Sequence, residues 1–393
     1  MKVSILTPNV SSNALGRAYL LGQLLCHENE VEIIGPVLGR GVWPPLKNIE
    51  ENENITLLPI KTRNLFSYVK YLKKNISSDV VYISKPVLTS FGIYELLKEK
   101  NGIPVVLDID DWDLGFILDS VKKGYLGWYL FPGYHNNFKG LPDSYVLDKI
   151  SETANIPKTV SNSFLRRKFG GVIIPHTRDE KKFNPKRYPN EISKEKLGLP
   201  QNKTVVMFFG TPRPHKGVKE LILSFKENEL ARRKEVMLLI VGTAMDKYSQ
   251  EIQRLAKKIL GNRVRFIDYV PFSKIPQVVS AADIYVIPQI ESESSKGQLP
   301  AKLFDAMAMG KAIISTNVSD IPNILDNAGI IISGNPKRIV RELSHALIYL
   351  LDNPKIARSL GAKARKKFLR NYSFSRMRVL LRNVLKNAVE NGQ

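Results

Sequence analysis

A single cysteine, Cys26, stands in a chain of 393 residues. That excludes a disulfide framework and a multi-cysteine metal site, and it suits a reducing compartment. The five histidines (His27, His135, His176, His215, His345) lie far apart and show no metal-ligand spacing. No apolar run reaches the roughly 18 residues that span a bilayer. The chain has no Gly-x-Gly-x-x-Gly, no Walker A sequence and no Gly-x-Ser-x-Gly elbow, so none of three common nucleotide or nucleophile sites announces itself. Acidic residues are also scarce: Asp and Glu number 37 against 59 Lys and Arg, for a net charge of +22. Nucleic acid, an anionic membrane surface or anionic small substrates would each exploit that excess. A lysine-rich solubilising surface is the alternative. No helix-turn-helix, zinc-finger, RRM or KH signature accompanies the charge, which leaves nucleic acid the weakest of the three.

What is present is a folded-protein composition, 43% hydrophobic and 24% charged, on a chain long enough for two domains. Met1 is followed by Lys-Val-Ser-Ile-Leu-Thr, which reads as a first buried strand rather than a signal peptide. The expectation is a cytoplasmic protein, with the inner face of the membrane as a candidate contact.

Short apolar strands alternate with helical segments in two successive sets, the pattern of α/β domains with covered parallel sheets. The first set predicts strands at Val3–Thr7, Val31–Ile34, Asp79–Ile83, Val105–Asp108 and Thr159–Ser161, with helices at Gly16–Leu25 and Ser90–Lys98. The second runs from strand Val205–Gly210 to the amphipathic helix Arg338–Leu351. Trp112 to Asp148 breaks the rhythm by mixing Trp112, Phe116, Tyr125, Trp128, Tyr129, Phe131, Tyr134 and Phe138 with Lys122, Lys123 and Lys139. This insertion is either a lid that meets membrane or acceptor, or a segment packing its aromatics on its own domain.

Two stretches carry chemistry. Lys296-Gly-Gln-Leu-Pro-Ala-Lys-Leu-Phe-Asp305-Ala-Met-Ala-Met-Gly310 reads as a loop opening a helix, with free N–H groups for an anion and one acid further along for hydroxyls. Gly210-Thr-Pro-Arg213-Pro-His-Lys216-Gly217 lies between a strand and a helix and brings two cations to the carboxyl edge of a sheet. An Arg and a Lys suit a diphosphate.

Together these stretches resemble the nucleotide-sugar site of the family-4 glycosyltransferases (group 1 type), retaining enzymes of the GT-B fold. The resemblance implies two doubly wound Rossmann-like domains facing each other across a cleft. Their expected limits are 1–172 for the acceptor side, 173–368 for the nucleotide-sugar side, and a final helix at 369–393 that returns to the first domain. Lys216 falls on the lysine of the family's Gly-x5-Lys-Gly loop. The family arginine would stand at Thr211, so Arg213 is a shifted substitute. Asp305 takes the place of the ribose-binding acid in the family's Glu-x7-Glu motif, shortened by one methylene. The first acid of that motif falls on Gly297, which has no side chain, and Glu291 or Glu293 is a candidate replacement. The resemblance further implies that backbone N–H groups at Gln298 and Leu299 meet the phosphates and that Gly16 lies near the transferred sugar. A UDP- or GDP-sugar is then the co-substrate, with no cofactor and no metal, and the acceptor is a glycan, a glycolipid or other lipid-linked molecule, or a small molecule.

Asp108-Ile-Asp110-Asp111-Trp-Asp113 remains open. Crowded carboxylates raise one another's pKa and invite a proton, a cation or a polyhydroxy ligand. Asp110 and Asp111 are candidate acceptor-facing catalytic residues; a strand-end cap or salt bridge is the plainer reading. Asp-x-Asp is also a manganese signature of the other large glycosyltransferase fold. Two rival functions accompany the transferase: a nucleotide-sugar epimerase or hydrolase on the same fold, and a basic binding protein with weak turnover.

Overall fold

The computed structural model describes residues 1–47, 54–62, 64–95, 102–131, 138–243 and 246–392. The chain separates into two compact units. One comprises Met1–His176, Lys296–Leu299 and Ser375–Gln393, the other Thr177–Ser295 and Pro300–Phe374.

Seven parallel strands carry the first unit: β1 (Lys2–Leu6), β2 (Glu30–Pro36), β3 (Ile55–Ile60), β4 (Val80–Ser84), β5 (Val105–Ile109), β6 (Lys158–Val160) and β7 (Val172–Ile173), in the order β3-β2-β1-β4-β5-β6-β7. Val3, Ile5, Leu6, Ile83 and Leu107 are sealed from solvent, as near-continuous apolar strands between two helical layers must be. Chain order reverses between β1 and β4, and ligands of such sheets gather at the carboxyl ends of the strands at that reversal.

The sequence reading contains neither β3 nor β7, nor the helices Leu65–Asn75 and Pro354–Asn371. Pro59 interrupts the strand pattern of β3; the structure tolerates it because β3 is an edge strand, where a missing donor costs least. Asn64 caps Leu65–Asn75 by accepting the Ser67 N–H at 2.9 Å, and Tyr68 and Leu72 form its buried stripe. The helix expected over Ser90–Lys98 is present as far as the described residues reach, starting earlier at Leu88 as a π-helical stretch (Leu88–Gly92) that continues into α-helix at Ile93–Glu95; residues 96–98 lie outside the described residues.

The second unit is a six-stranded parallel sheet of β8 (Thr204–Phe209), β9 (Val236–Val241), β10 (Val264–Ile267), β11 (Ile284–Ile287), β12 (Ala312–Thr316) and β13 (Ile330–Ile332), ordered β10-β9-β8-β11-β12-β13. Its reversal lies between β8 and β11. The amphipathic helix Ile339–Asp352 buries Leu343, Leu347 and Leu350 in the same core as Val206, Ile240 and Ile314.

The aromatic insertion divides. Trp112 packs inward: its ring lies 5.3 Å from Phe164 and its indole N–H donates to Asp148 at 3.0 Å. Tyr125, Leu126, Trp128, Leu130 and Phe131, on and beside the short helix Leu126–Leu130, stand exposed, as do Lys122 and Lys123 before them. Tyr134 and His135 lie outside the described residues. The last helix, Phe374–Gly392, belongs to the first unit from Ser375 onward, where Arg382 pairs with Glu28. Among the described residues no helix is long and apolar enough to cross a membrane.

Candidate functional site

In the second unit the loops leaving β8 and β11 meet at their backbones. Gly210 (φ +119°) and Gly217 (φ +66°) bracket the turn into the helix Val218–Ser224. A Cβ on Gly217 would stand 1.7 Å from the carbonyl oxygen of Pro288, just beyond β11, so only glycine lets the loop lie there. Lys216 donates from Nζ to the Thr211 carbonyl at 3.0 Å and closes the loop on itself. Arg213, half-exposed, turns instead to Asp246 at 2.9 Å, which also caps the helix Lys247–Leu260 through Ser249 N–H.

Helix Ala301–Ala308 carries the acid singled out in the sequence. Asp305 is buried, and its Oδ1 accepts from Arg178 Nε at 2.5 Å. Burial pushes this carboxyl upward against the pull of Arg178 and Lys302. The Arg178 guanidinium lies over the rings of Phe183 and Phe272, at 5.6 and 5.8 Å. Sequence reasoning assigned nothing to Arg178, because 127 residues separate it from its partner. Lys302 was missed too, though a lone cation in Ala301-Lys-Leu-Phe-Asp-Ala-Met-Ala was a signal. It is 9% exposed, with Nζ 4.1 Å over the ring of Phe208. Burial first, then Lys216, hold its ammonium well below the ordinary lysine range, against a weaker pull from Asp305.

In the first unit the carboxyl ends of β4 and β5 build a charge cluster. Lys85, in the left-handed region at φ +72°, points Nζ at Asp110 (2.7 Å), Asp111 (3.0 Å) and Asp113 (3.3 Å). Lys139 also pairs with Asp113, and His176 Nε2 lies 3.7 Å from Asp110. Three carboxylates thus share two lysines. Burial raises Asp110, but Lys85, His176 and Arg17 outweigh it and hold that carboxyl well below the usual range. Asp111 is the odd one: burial, joined by Asp110 and Asp113, raises it despite Lys85. The plainer reading, a salt bridge, therefore describes part of what these acids do.

Asp108 is set apart. Arg17, buried in the helix Ala14–Leu25, grips both its oxygens at 2.9 and 2.7 Å and also donates to the Ile174 carbonyl at 2.8 Å. Thr159 adds a hydrogen bond at 2.7 Å. The carboxylate that an Asp-x-Asp metal site would need is committed to Arg17. Among the described residues no group of three His, Cys, Asp or Glu side chains is placed to hold a metal.

Gly16 sits in the first turn of the same helix, where a Cβ would touch the Trp43 ring at 3.1 Å. Lys296–Leu299 packs with the first unit. There the Gly297 carbonyl accepts from Trp112 N–H at 3.2 Å, Gln298 donates to Asp111 at 3.4 Å, and Leu299 is buried. A Cβ at Gly297 would lie 2.4 Å from the Trp112 Cβ, so the position has no room for an acid. Glu291 is exposed in the loop after β11, and Glu293 is exposed at the start of the short helix Glu293–Lys296.

Residues 189–367 match the family described as Glycosyl transferases group 1. A GDP-mannose-dependent monoacylated alpha-(1-6)-phosphatidylinositol monomannoside mannosyltransferase of Corynebacterium glutamicum is 26% identical over 285 residues, 69% of this chain and 70% of that protein. A glycosyltransferase of Methanocaldococcus jannaschii is 26% identical over 178 residues, 45% of this chain and 43% of that one. Among solved structures, sucrose-phosphate synthase from Thermosynechococcus elongatus superposes with a TM-score of 0.73 at 17% identity, covering 98% of each chain. The Anabaena protein HepE, in complex with UDP-glucose, gives 0.74 at 15% identity, covering 98% of this chain and 100% of that one. The architecture is GT-B.

Proposed function

We propose that the chain, whose residues 189–367 match the group 1 glycosyltransferases, transfers a sugar, with retention and without a bound metal, from a UDP- or GDP-sugar to a glycan or lipid-linked acceptor. The observation that carries this reading is the second unit's reversal point, where Lys216, Lys302 and the Asp305–Arg178 pair gather at the carboxyl ends of β8 and β11. A relative named for GDP-mannose and a fold neighbour holding UDP-glucose support either base.

In this reading the second unit's cations, Lys216 first, hold the donor diphosphate. Its negative charge grows as the glycosidic bond breaks, so fixed cations favour the transition state over the ground state. Arg213 joins them by leaving Asp246, an exchange that a half-exposed ion pair makes at small cost. Asp305, braced by Arg178, receives the ribose diol. Gly16 leaves space beside the transferred sugar, and Asp110 and Asp111 face the acceptor. Asp111 is the better proton acceptor, since its carboxyl is pushed up rather than down.

The test is donor binding followed by turnover. UDP or GDP at a hundredfold excess over its Kd should stabilise the protein by about 2.7 kcal/mol. Lys216→Ala should weaken nucleoside diphosphates while sparing the nucleosides, and lower kcat/KM by about a hundredfold. Equal losses for both ligands would remove Lys216 from the diphosphate site. Rapid epimerisation or hydrolysis of the donor without acceptor would replace the transferase reading.

Exposed Tyr125, Trp128 and Phe131 beside Lys122 and Lys123 favour a lipid-linked acceptor met at an anionic membrane surface. Liposomes containing anionic lipid should carry the protein upward in flotation at low salt, and a Trp128→Ala, Phe131→Ala variant should stay below. Failure of the native chain to float would leave a water-soluble acceptor.

A further inference from the structure

Lys302 has no settled partner in a place where a lysine is costly. Its Nζ makes no ion pair or hydrogen bond with a described residue; only the face of Phe208 lies beneath it, at 4.1 Å. The side chain begins in the first turn of the helix Ala301–Ala308, where N–H groups are unsatisfied and the helix dipole disfavours a cation. Lys216 on the loop after β8 repels it, and Asp305, one turn on, is already engaged by Arg178. The other ionisable groups around this helix do not relieve it. Tyr285, on β11, is held neutral by burial, and Arg365, on the helix Pro354–Asn371, binds the Ala308 carbonyl at the opposite end of Ala301–Ala308. An ammonium is therefore disfavoured until an anion arrives between Lys216 and Lys302.

We propose that Lys302 is a further cation of the diphosphate site that becomes charged only as the diphosphate binds, so that nucleotide binding draws one proton from solvent onto Nζ and release returns it. This rests on the donor site proposed above. The balance is simple: neutral amine, solvent proton and diphosphate give ammonium paired with diphosphate, with no covalent bond made or broken in the nucleotide. Such a group answers the charge that appears on the leaving diphosphate, whereas a permanently charged Lys302 would be destabilised in the empty protein. It is a positioning and charge-matching residue for the leaving group.

Isothermal titration calorimetry with UDP and then GDP, in buffers of differing ionisation enthalpy, tests this. The titrations should be run near pH 8, where the terminal phosphate (pKa about 6) is already ionised and supplies no proton of its own. The native protein should take up between a few tenths of a proton and one. Lys302→Arg, permanently charged, should bind with uptake near zero. Lys302→Met should melt no lower than the native chain, because it replaces a buried amine by an apolar isostere, yet bind UDP or GDP at least tenfold more weakly while uridine or guanosine binding is unchanged. Nucleotide binding with no buffer dependence, or undiminished affinity in Lys302→Met, would overturn the assignment of Lys302 alone. Absence of any binding by both nucleotides would overturn the donor site itself and this role with it. If the Met variant fails to fold, the native and Arg titrations still decide.

Discussion

Replacing Lys85 by methionine is expected to destabilise the first unit by about 3–5 kcal/mol, the usual result of removing one partner of a buried charge group. For a unit of this size that is a fall of roughly 10 °C in Tm. Methionine keeps the same Cβ, so the left-handed backbone at φ +72° costs it what it costs lysine, and the loss reports on charge. Asp110, Asp111 and Asp113 would face one another with Lys139, His176 and Arg17 as the cations left nearby. The pH dependence fixes the sign. In the native chain Asp110 and Asp113 lie below their unfolded values, so their stabilisation is present at neutral pH and is lost as pH falls through those depressed values, below about pH 4. Without Lys85 burial dominates and pushes Asp110 upward. Its stability contribution then has the opposite sign and is relieved as pH falls from neutrality through the raised value. The gap between native and variant should therefore narrow over that range in thermal melts. A constant gap would mean that Lys85 is held for its packing rather than its charge.

Gly217→Ala should be the most damaging single-methyl change in the second unit, with about 3–5 kcal/mol lost and nucleotide binding abolished. Two effects combine. A left-handed φ of +66° costs an alanine about 1–2 kcal/mol. The new methyl would also lie 1.7 Å from a backbone oxygen, where no side chain can swing aside, so the loop after β8 must lift from Pro288. Gly210→Ala is the matched control: its φ is +119°, but a Cβ there meets nothing within 4 Å. It should show the strain alone, about 1–3 kcal/mol. Similar losses in the two variants, measured by denaturant unfolding with and without UDP or GDP, would show that contact with Pro288 is not what fixes the loop.

These two positions also mark where the sequence was readable. Gly217 belongs to an eight-residue stretch whose glycines, cations and flanking apolar strand are adjacent in the chain, so its turn and its place at a sheet edge could be read directly. The same holds for Asp305, on a short helix behind a polar loop. The alternating apolar segments announced both parallel sheets, apart from edge strands too short or too proline-broken to show a period. Lys85 is different. It sits in Ser84-Lys85-Pro86, which carries no motif, and it matters only because β4 lies beside β5 in the sheet and brings it to Asp110 and Asp111. Arg178 and Asp305 likewise pair across 127 residues. The vacancy at Gly297 was legible as a missing acid, but its cause, Trp112 packed against it through Cβ, is a matter of three-dimensional contact.

The chain's three tryptophans occupy three different environments. Trp43 covers Gly16, Trp112 abuts Gly297 with its indole tied to Asp148, and Trp128 is half open to water. Each therefore stands at one of the places that matter here: the turn after β1, the loop before Asp305, and the exposed aromatic helix. Their emission divides among these places without any attached dye. A chain retaining one indole at a time would carry an optical reporter confined to a single locality, blue-shifted at Trp112 and water-quenched at Trp128.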